Sequence, residues 1–435
     1  MAAARWRAKG VYMGHAHVAK PYRDLQKRLE RSPQGAPESE TLFRILKELF
    51  TEQEARLVSR LPFRYFTVET AAKIWKKSLP EAEALLNTLA DKGLILDFKS
   101  DRERKFILAP TMAGFFEFSL MRTDGRFDAR LLSELYHQYI NVEPDFVHVL
   151  HIDPPVDRTF IHEDQIPEEA YSEVLDHERV SNVIDTASCI SVGRCYCRHK
   201  MEHLGKACDN PQEVCLTFNG TARSLVDHGI AREISKDQAR EIIRRVEALG
   251  LVHIGDNVRN EVAWICNCCS CCCEALLAYK RLGYVRNIHT NFEAAIQPEL
   301  CIACGKCLQK CPVDAIHEQT DAAGGKVFTV DLDRCIGCGV CSRFCPTGAI
   351  HMNRRAEMNH TPKDGFERMI RSAIDTGKLG NLIFDNYHLW THRMLSRFIN
   401  ILLGLNPVRK QMMRQQVQSR FLRFAEKQME KAKKG

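Results

Sequence analysis

One cysteine pattern occurs twice in the chain and limits what the surrounding residues can fold into. Its two copies have the form C-x2-C-x2-C-x3-C-P and lie 34 residues apart. The cysteines are Cys301, Cys304, Cys307 and Cys311 in the first copy and Cys335, Cys338, Cys341 and Cys345 in the second. A [4Fe–4S] cubane needs four thiolate ligands, and two-residue gaps let one loop supply three of them while the other repeat supplies the fourth. The duplication therefore predicts two [4Fe–4S] clusters.

The duplicated segment resembles the bacterial two-cluster ferredoxins. This resemblance implies one cluster bound by Cys301, Cys304, Cys307 and Cys345, and a second bound by Cys335, Cys338, Cys341 and Cys311. Gly305, Gly337 and Gly339 are expected to let the loops turn close to the clusters without a clashing Cβ. A pair of zinc sites is the alternative, although zinc motifs rarely combine three cysteines at this spacing with a final Cys-Pro.

Ten further cysteines lie upstream in two groups, the first spaced C-x-C-x10-C-x6-C and the second written CNCCSCCC. They are Cys195, Cys197, Cys208, Cys215, Cys266, Cys268, Cys269, Cys271, Cys272 and Cys273. The six cysteines of the second group cannot all bind one cubane, because a cubane takes four ligands and neighbouring thiols point in different directions. We favour one or two additional iron–sulfur clusters, bound by a subset of these residues. Zinc binding and thiol–disulfide chemistry stay open as alternatives.

Histidines near the cysteines could in principle replace a thiolate. We expect His199 and His203 to be surface residues beside Lys200 and Lys206, and therefore not ligands. The histidines scattered between residues 148 and 177 are assigned no role.

The cysteine-free N-terminal part has the pattern of a small helical domain with a β-hairpin. The segment TLFRILKELF has apolar residues at helical spacing, and TVETAAKIWKK predicts a second helix. Ser78 and Glu81 form a capping box that begins a third helix, and Gly93 ends it. Two apolar strands around a charged turn follow in GLILDFKSDRERKFILAP. Three helices and a hairpin in this order, between residues 40 and 110, resemble a winged-helix domain.

A winged helix suggests DNA binding, because its third helix can enter the major groove. Here that helix, in SLPEAEALLNTLADKG, carries Glu81, Glu83 and Asp91 against Lys92. Phosphate contacts need a positive face. DNA is therefore not an expected partner, and we expect a protein-docking or structural role instead.

The composition of the 435-residue chain, 45% hydrophobic and 27% charged, is typical of a folded protein with several domains. No run of 18 apolar residues predicts a spanning helix, and the first residues lack the apolar core of a secretory signal. We therefore expect a cytoplasmic protein. In that reducing compartment, clustered cysteines bind metal more often than they form disulfides.

The net charge of +7 originates in the C-terminal tail, since residues 393–434 contain eleven Lys and Arg but two acidic residues. Four apolar residues there share one helical face, namely Leu395, Phe398, Ile399 and Leu402. Such a basic amphipathic helix can associate with an anionic membrane, dock an acidic partner, or pack on its own chain.

These patterns predict an α+β, multidomain fold. The expected parts are a flexible lead-in (1–38), a winged-helix-like domain (39–120), a helical connector (121–188), a cysteine-rich metal-binding domain (189–290), a two-[4Fe–4S] ferredoxin domain (291–355) and a basic amphipathic helical tail (356–435). Within the cysteine-rich domain, Ser235 and Gln238 form a second capping box. It begins a helix that ends at Gly250 and is expected to support the metal-binding loops.

From about residue 40 to 355 the chain resembles a family of iron–sulfur proteins of anaerobes. The features shared with that family are the winged-helix-like domain, a C-x-C-R sequence (here Cys195, Cys197 and Arg198), the CNCC-x-CCC segment and the two-cluster module. The resemblance implies an electron-transfer context without naming a substrate. Beyond Arg371 the chain resembles the family less.

We therefore expect an electron carrier, or an electron-entry subunit of an anaerobic oxidoreductase, that meets redox partner proteins. Electrons would pass between the two ferredoxin clusters and a further cysteine-ligated centre. No G-x-G-x-x-G or Walker sequence is present, so flavin or nicotinamide chemistry is not expected. Two other functions stay open: a reductase whose upstream cysteine site is catalytic, with Asp209 and Glu213 nearby, and a redox-sensing winged-helix regulator. No catalytic residue is assigned.

Overall fold

The computed structural model describes residues 18–100, 103–147, 152–168, 176–283, 288–322, 324–384 and 390–403. Within them the helices are α1 (Lys20–Glu30), α2 (Glu40–Leu49), α3 (Glu52–Val58), α4 (Val68–Trp75), α5 (Leu79–Asp91), α6 (Phe116–Met121), α7 (Ala129–Tyr136), α8 (Pro144–Val147), α9 (Val180–Thr186), α10 (Tyr196–His203), α11 (Asn219–Asp227), α12 (Lys236–Ala248), α13 (Glu274–Arg281), α14 (Lys306–Lys310), α15 (Val340–Arg343), α16 (Gly365–Asp375), α17 (Leu379–Ile383) and α18 (Trp390–Leu403).

The strands in the same residues are β1 (Phe66–Thr67), β2 (Ile95–Lys99), β3 (Arg104–Leu108), β4 (Asp157–Phe160), β5 (Ile190–Arg194), β6 (Glu213–Phe218), β7 (Arg232–Glu233), β8 (Val252–Asp256), β9 (Trp264–Cys268), β10 (Phe292–Ile296), β11 (Ile316–Thr320), β12 (Lys326–Val330) and β13 (Ile350–Arg354). They form one six-stranded, one three-stranded and two two-stranded sheets. The mixture of helix and strand agrees with the predicted fold class and is compatible with several domains.

The N-terminal elements follow the predicted order. The capping box of Ser78 and Glu81 precedes α5, and Gly93 has φ +73° just after it. β2 and β3 form the expected hairpin, and β1 extends it to a three-stranded sheet of order β1-β3-β2. Helix α3 was not predicted, although Thr51 and Glu54 form a capping box for it. That these elements make a winged helix stays an interpretation.

The lead-in, expected to be flexible over residues 1–38, contains a helix instead. Helix α1 has Pro21 in its first turn and buries Tyr22, Leu25 and Leu29. These three residues lie at i, i+3 and i+7, which is one face of a helix. Charged neighbours obscure that periodicity in the sequence. Residues 1–17 lie outside the described part of the chain.

A single hydrophobic core runs from α1 through α7, across the domain boundary expected at residue 120. It also takes in Tyr196, Leu225 and Ala278 from the cysteine-rich part. The N-terminal domain is therefore packed directly against the segments that carry the upstream cysteines.

A six-stranded antiparallel sheet of order β4-β8-β9-β6-β5-β7 organises the cysteine-rich part. Strand β6 carries Cys215, and β9 carries Cys266 and Cys268 two residues apart, on the same face. Helix α12 begins at the predicted capping box of Ser235 and Gln238.

The ferredoxin segment consists of two antiparallel strand pairs, β10 with β13 and β11 with β12, and the short helices α14 and α15. Gly305 and Gly339 have φ of +72° and +83° and precede these helices. Gly337 is required for a second reason, because a Cβ there would lie 2.0 Å from Thr290 Oγ1 and 2.1 Å from the carbonyl oxygen of Phe292. The three glycines have the positive φ of tight turns, as expected, whereas their closeness to bound clusters stays a prediction.

The tail begins with α16 and α17, which share a small apolar cluster with Phe63. Helix α18 leaves Trp390, Met394, Phe398 and Ile401 exposed, whereas Ile399 packs on that cluster. The predicted apolar face is thus divided, and residues 404–435, with most of the basic charge, lie outside the described residues. Among the described helices none combines the length and apolar character needed to cross a membrane.

Candidate metal centres

The structure brings the eight ferredoxin cysteines together as two sets of four, each lining a small cavity. The outer set, as we name it, is Cys301, Cys304, Cys307 and Cys345. The inner set is Cys311, Cys335, Cys338 and Cys341. Each set takes three cysteines from one repeat and one from the other, as the ferredoxin resemblance implied. That each set binds a cluster stays a prediction.

The two sets differ in exposure. Cys304 of the outer set is exposed, whereas Cys335, Cys338 and Cys341 of the inner set are buried. Burial raises the pKa of Cys338 and of Cys341. A thiolate at these buried positions requires a compensating positive charge, and a bound iron–sulfur core supplies one. The inner cysteines are therefore expected to be thiolates only when a metal cluster is bound.

Four of the upstream cysteines form a compact group, called here the four-thiol group: Cys208, Cys269, Cys271 and Cys272. All four Sγ atoms lie within 4.8 Å of one another. The Cys208 Sγ is 3.6 Å from that of Cys269 and 3.9 Å from that of Cys272. Hydrogen bonding with the Cys272 thiol and the nearby Arg198 guanidinium lower the pKa of Cys269 to about 5, although burial opposes this.

These sulfur–sulfur distances match those around a single tetrahedral ion. With metal–sulfur bonds of about 2.3 Å, two ligands of a tetrahedral zinc site lie about 3.8 Å apart. A cubane places its four ligands around a larger core, and so requires wider spacing. The four-thiol group therefore fits one ion better than a cluster.

The other six upstream cysteines form a second group, called here the six-thiol group. Electrostatic interactions between neighbouring thiols connect them in the order Cys266, Cys215, Cys195, Cys197, Cys273 and Cys268. The Sγ atoms of Cys215 and Cys266 are 4.0 Å apart. Such an extended set offers more ligands than one ion uses, and it fits a polynuclear centre.

The CNCCSCCC segment thus supplies both groups. Cys266 and Cys268 share a face of β9 and join the six-thiol group, whereas Cys269, just after the strand, belongs to the four-thiol group. The expectation that these six cysteines do not serve one centre agrees with this division. Cys189 lies apart, with its Sγ 3.8 Å from Glu233 Oε1.

Arg198 lies between the two groups, and only 1% of its surface is exposed to solvent. Its guanidinium donates to the carbonyl oxygens of Pro211 and Asn267, both at 2.8 Å. Burial lowers the pKa of Arg198, but the thiols of Cys195 and Cys269 outweigh burial and raise it. The guanidinium therefore stays charged and compensates thiolate charge in both groups.

His199 is buried, so the expectation of a surface position was wrong for this residue, whereas His203 is half-buried; the neighbouring Lys200 is buried as well. His199 Nδ1 contacts the carbonyl oxygen of Leu120 at 2.7 Å, and Lys200 pairs with Glu274. The cause is the N-terminal domain, which covers α10 and which periodicity within one helix cannot show. His199 Nε2 lies 3.1 Å from His203 Nε2, so the His199 ring has contacts at both nitrogens and is not free to bind a metal.

A cavity of about 380 Å³ opens directly over the six-thiol group, and all six of its cysteines line the wall. Of the four-thiol group, Cys269 also lines it. The remaining wall is mostly apolar and comes from the N-terminal domain, the central sheet and the tail. Asp209 and Glu213, which the sequence placed near this site, are exposed side chains.

His162 joins the inner set to the central sheet, a role that the sequence did not reveal. Its backbone N–H donates to the Cys338 carbonyl oxygen at 3.0 Å, and its ring Nε2 contacts the Leu251 carbonyl oxygen at 2.9 Å. The ring lies 5.0 Å from that of His253, whose Nδ1 is 2.7 Å from Asn267 Oδ1. Because these contacts are between segments far apart in sequence, no local pattern could have predicted them.

Residues 294–352 match the family model of a 4Fe-4S dicluster domain, which spans both cysteine repeats. No curated protein matches the chain. The match, with the cysteine groups, supports an iron–sulfur protein that binds iron–sulfur clusters. The matched region begins after the upstream cysteines, so it does not indicate which metal they bind.

Proposed function

We propose that the chain passes single electrons between a redox partner and its upstream thiol groups, by way of the two ferredoxin-type clusters, as a carrier or electron-entry subunit of an anaerobic oxidoreductase. A [4Fe–4S] cluster, when bound, supplies a one-electron redox centre whose potential depends on burial and on hydrogen bonds to its sulfurs. The observation that carries the proposal is a difference in exposure: Cys304 of the outer set is exposed, whereas the inner set and the six-thiol group contain no exposed cysteine.

The outer set is the proposed entry point. Ile302, beside it, is 64% exposed, whereas the residue at the matching position of the second repeat, Ile336, is 1% exposed. Leu300 and Leu308 are also exposed around the outer set. Exposed apolar residues beside a redox site suit transient docking of a partner protein.

The inner set contacts the cysteine-rich part directly. Ser270, inside the CNCCSCCC segment, donates its hydroxyl to the carbonyl oxygen of Pro312 at 2.8 Å. Lys280 bridges the same two segments, 2.9 Å from Ser270 Oγ and 2.9 Å from Asp314 Oδ2. Cys268 and Cys273 share a hydrophobic core with the inner set. These contacts fix the separation between the inner set and the upstream groups, which a short electron transfer requires.

A catalytic role for the six-thiol group is the second candidate, and the cavity above it favours this role. A thiol group that only relayed electrons would not need a cavity of 380 Å³ beside it. In this alternative the chain is a reductase, and the ferredoxin segment supplies its electrons.

The N-terminal domain is interpreted as a winged helix used for docking or structure. Glu81 and Glu83 are exposed on α5, so the helix that would enter DNA presents negative charge. Its core is continuous with Tyr196 of α10, which supports a role in covering the upstream site. A redox-sensing regulator gains no support from this arrangement.

The proposal is tested by counting reducing equivalents. The anaerobically purified, metal-loaded chain is titrated with reduced methyl viologen while absorbance and electron paramagnetic resonance spectra are recorded. More than two electrons per chain are expected, and the excess should be absent in Cys197→Ser. Uptake of two electrons or fewer would show that the upstream groups are not redox centres, and a zinc content without excess iron would make them structural.

A further inference from the structure

The cavity over the six-thiol group is larger and more apolar than metal binding needs. Its far wall includes Leu96 of β2, Leu108 of β3 and Met121 of α6. The tail contributes Met369 and Leu382, and the sheet contributes Ile254 and Trp264. None of these side chains carries the thiolate, imidazole or carboxylate that iron and zinc sites use. This part of the wall therefore has a purpose other than metal binding.

Several charged groups at this cavity already have partners within the protein. Arg368 pairs with Asp256 and also donates to the carbonyl oxygen of Val156. Arg28 donates to the carbonyl oxygens of Leu61 and Pro62. Glu117 accepts the backbone N–H groups of Ala113 and Gly114. These groups are therefore already bonded within the protein, and the charge of Arg198, which also lines the cavity, is balanced by the thiols beside it.

Within the described residues, Tyr196 has a polar group in this wall without a partner, and the Nε atom of Arg198 is a second one. Tyr196 lies in the cavity wall between Cys195 and Cys197, and its side chain is 94% buried, since the residue is 6% exposed. Its hydroxyl has no hydrogen-bond partner among the residues that the structure describes. A buried hydroxyl without a partner is costly, which indicates that something outside the chain accepts its hydrogen bond.

We propose that this cavity binds an uncharged, largely apolar organic molecule with one hydrogen-bond-accepting group, such as an aromatic carbonyl compound, whose acceptor takes the Tyr196 hydroxyl. The apolar wall provides the affinity, and the Tyr196 hydroxyl orients the polar end toward the six-thiol group. This inference goes beyond electron transfer, because it concerns binding and holds whichever metal the thiols carry.

The test uses two probes of nearly equal shape. The metal-loaded full-length chain is dialysed to equilibrium, under anaerobic conditions, against 2-acetylnaphthalene or against 2-ethylnaphthalene, which lacks the acceptor. We expect one ketone bound per chain. Tyr196→Phe should weaken the ketone about 5- to 10-fold, the effect of one neutral hydrogen bond, and should change hydrocarbon binding less than about twofold.

Two further variants separate binding from folding. Tyr139→Phe is the matched control, because the Tyr139 hydroxyl bonds to the Pro37 carbonyl oxygen at 2.7 Å, away from the cavity wall. It should leave both probes unaffected. Leu96→Trp should fill the cavity and abolish binding of both probes at unchanged metal content. If it does not fold, the comparison of the two tyrosine variants still decides.

The proposal fails if neither probe binds saturably to the unsubstituted chain. It also fails if Tyr196→Phe weakens the ketone and the hydrocarbon equally, or if Tyr139→Phe has the same effect. None of these results would alter the electron count in the methyl viologen titration, so this inference and the proposed function fail independently.

Discussion

The imidazole of His162 accepts a hydrogen bond at Nδ1 from Arg343 Nε at 3.1 Å. This bond holds α15, the helix that contains Cys341 of the inner set, against the segment after β4. Arg343 also pairs with Glu247 of α12 at 3.0 Å. Because burial is the main cause that lowers the pKa of His162 to about 3, the ring is neutral at neutral pH and can accept this bond. The ferredoxin segment is thereby attached to the sheet that carries the upstream cysteines.

Cys304→Ala should remove the cluster of the outer set and leave that of the inner set reducible. Cys304 belongs to the outer set alone, and its exposed position makes the substitution easy to accommodate. Iron should fall by about four atoms per chain, with one of two ferredoxin-type electron paramagnetic resonance signals lost. Unchanged iron content would contradict the ligand assignment. Cys338→Ala, at the matching position of the inner set, should remove the other signal.

The two upstream groups should lose their metal independently. Cys197→Ser and Cys268→Ser should each deplete the six-thiol group, whereas Cys271→Ser should deplete the four-thiol group by about one ion. Iron and zinc analysis of the anaerobically purified variants measures this. Cys189→Ser is the control and should retain all metal, because Cys189 contacts Glu233 and neither group. Loss of the same metal in Cys271→Ser and Cys268→Ser would mean that the ten cysteines form one centre.

Matching positions of the two repeats should differ in their contribution to stability. Ile336→Ala removes a buried side chain, which should cost about 2–4 kcal/mol of unfolding free energy. Ile302→Ala removes an exposed one and should cost less than about 0.5 kcal/mol. Urea unfolding of the metal-loaded chain provides the comparison. Similar losses would show that Ile302 is covered in the folded protein.

His228 should make the junction between the N-terminal domain and α11 sensitive to pH. Its Nδ1 is 2.6 Å from Asp91 Oδ1, and its Nε2 is 3.2 Å from Asp97 Oδ1. Burial lowers the pKa of His228, but the hydrogen bonds with the two carboxylates outweigh burial and raise it. Because the pKa of His228 is higher in the folded state than its unfolded value of about 6.5, the protonated imidazole stabilises the folded state fully below about pH 6.5. This stabilisation is lost as the pH rises through the pKa of the folded state.

We therefore expect His228→Gln to lower the unfolding free energy by about 1 kcal/mol at pH 6 and by less at pH 9. Urea unfolding at both pH values, compared with the unsubstituted chain, measures the difference. Equal losses at the two pH values would mean that the charge on the imidazole does not contribute.

The exposed apolar residues of α18 should support association with anionic vesicles, together with the basic residues that follow them in sequence. Phe398→Glu places a negative charge on that exposed face and should reduce flotation with vesicles that contain phosphatidylserine. Thr88→Glu, at an exposed position of α5, is a control of equal charge. If Phe398→Glu floats as the unsubstituted chain does, the tail serves a protein contact instead.

The ferredoxin segment could be anticipated because all its cysteines lie in two short loops, where spacing alone decides which thiols can converge. The assignment of the upstream cysteines to two thiol groups could not be predicted from spacing. Cys208 and Cys271 lie more than sixty residues apart in sequence and come together only after β6 and β9 pair. Local signals such as the Ser235 capping box predicted helix ends correctly. The burial of His199 depends on another domain, which no local signal contains.

Cys268 and Cys269 are adjacent in sequence but belong to different thiol groups. A metal that binds either group therefore also orders the backbone of the other. Binding at the second group then costs less conformational entropy, because its backbone is already ordered. Filling one group should therefore speed the filling of the other during metal insertion, without making the metal of either group a requirement for the other.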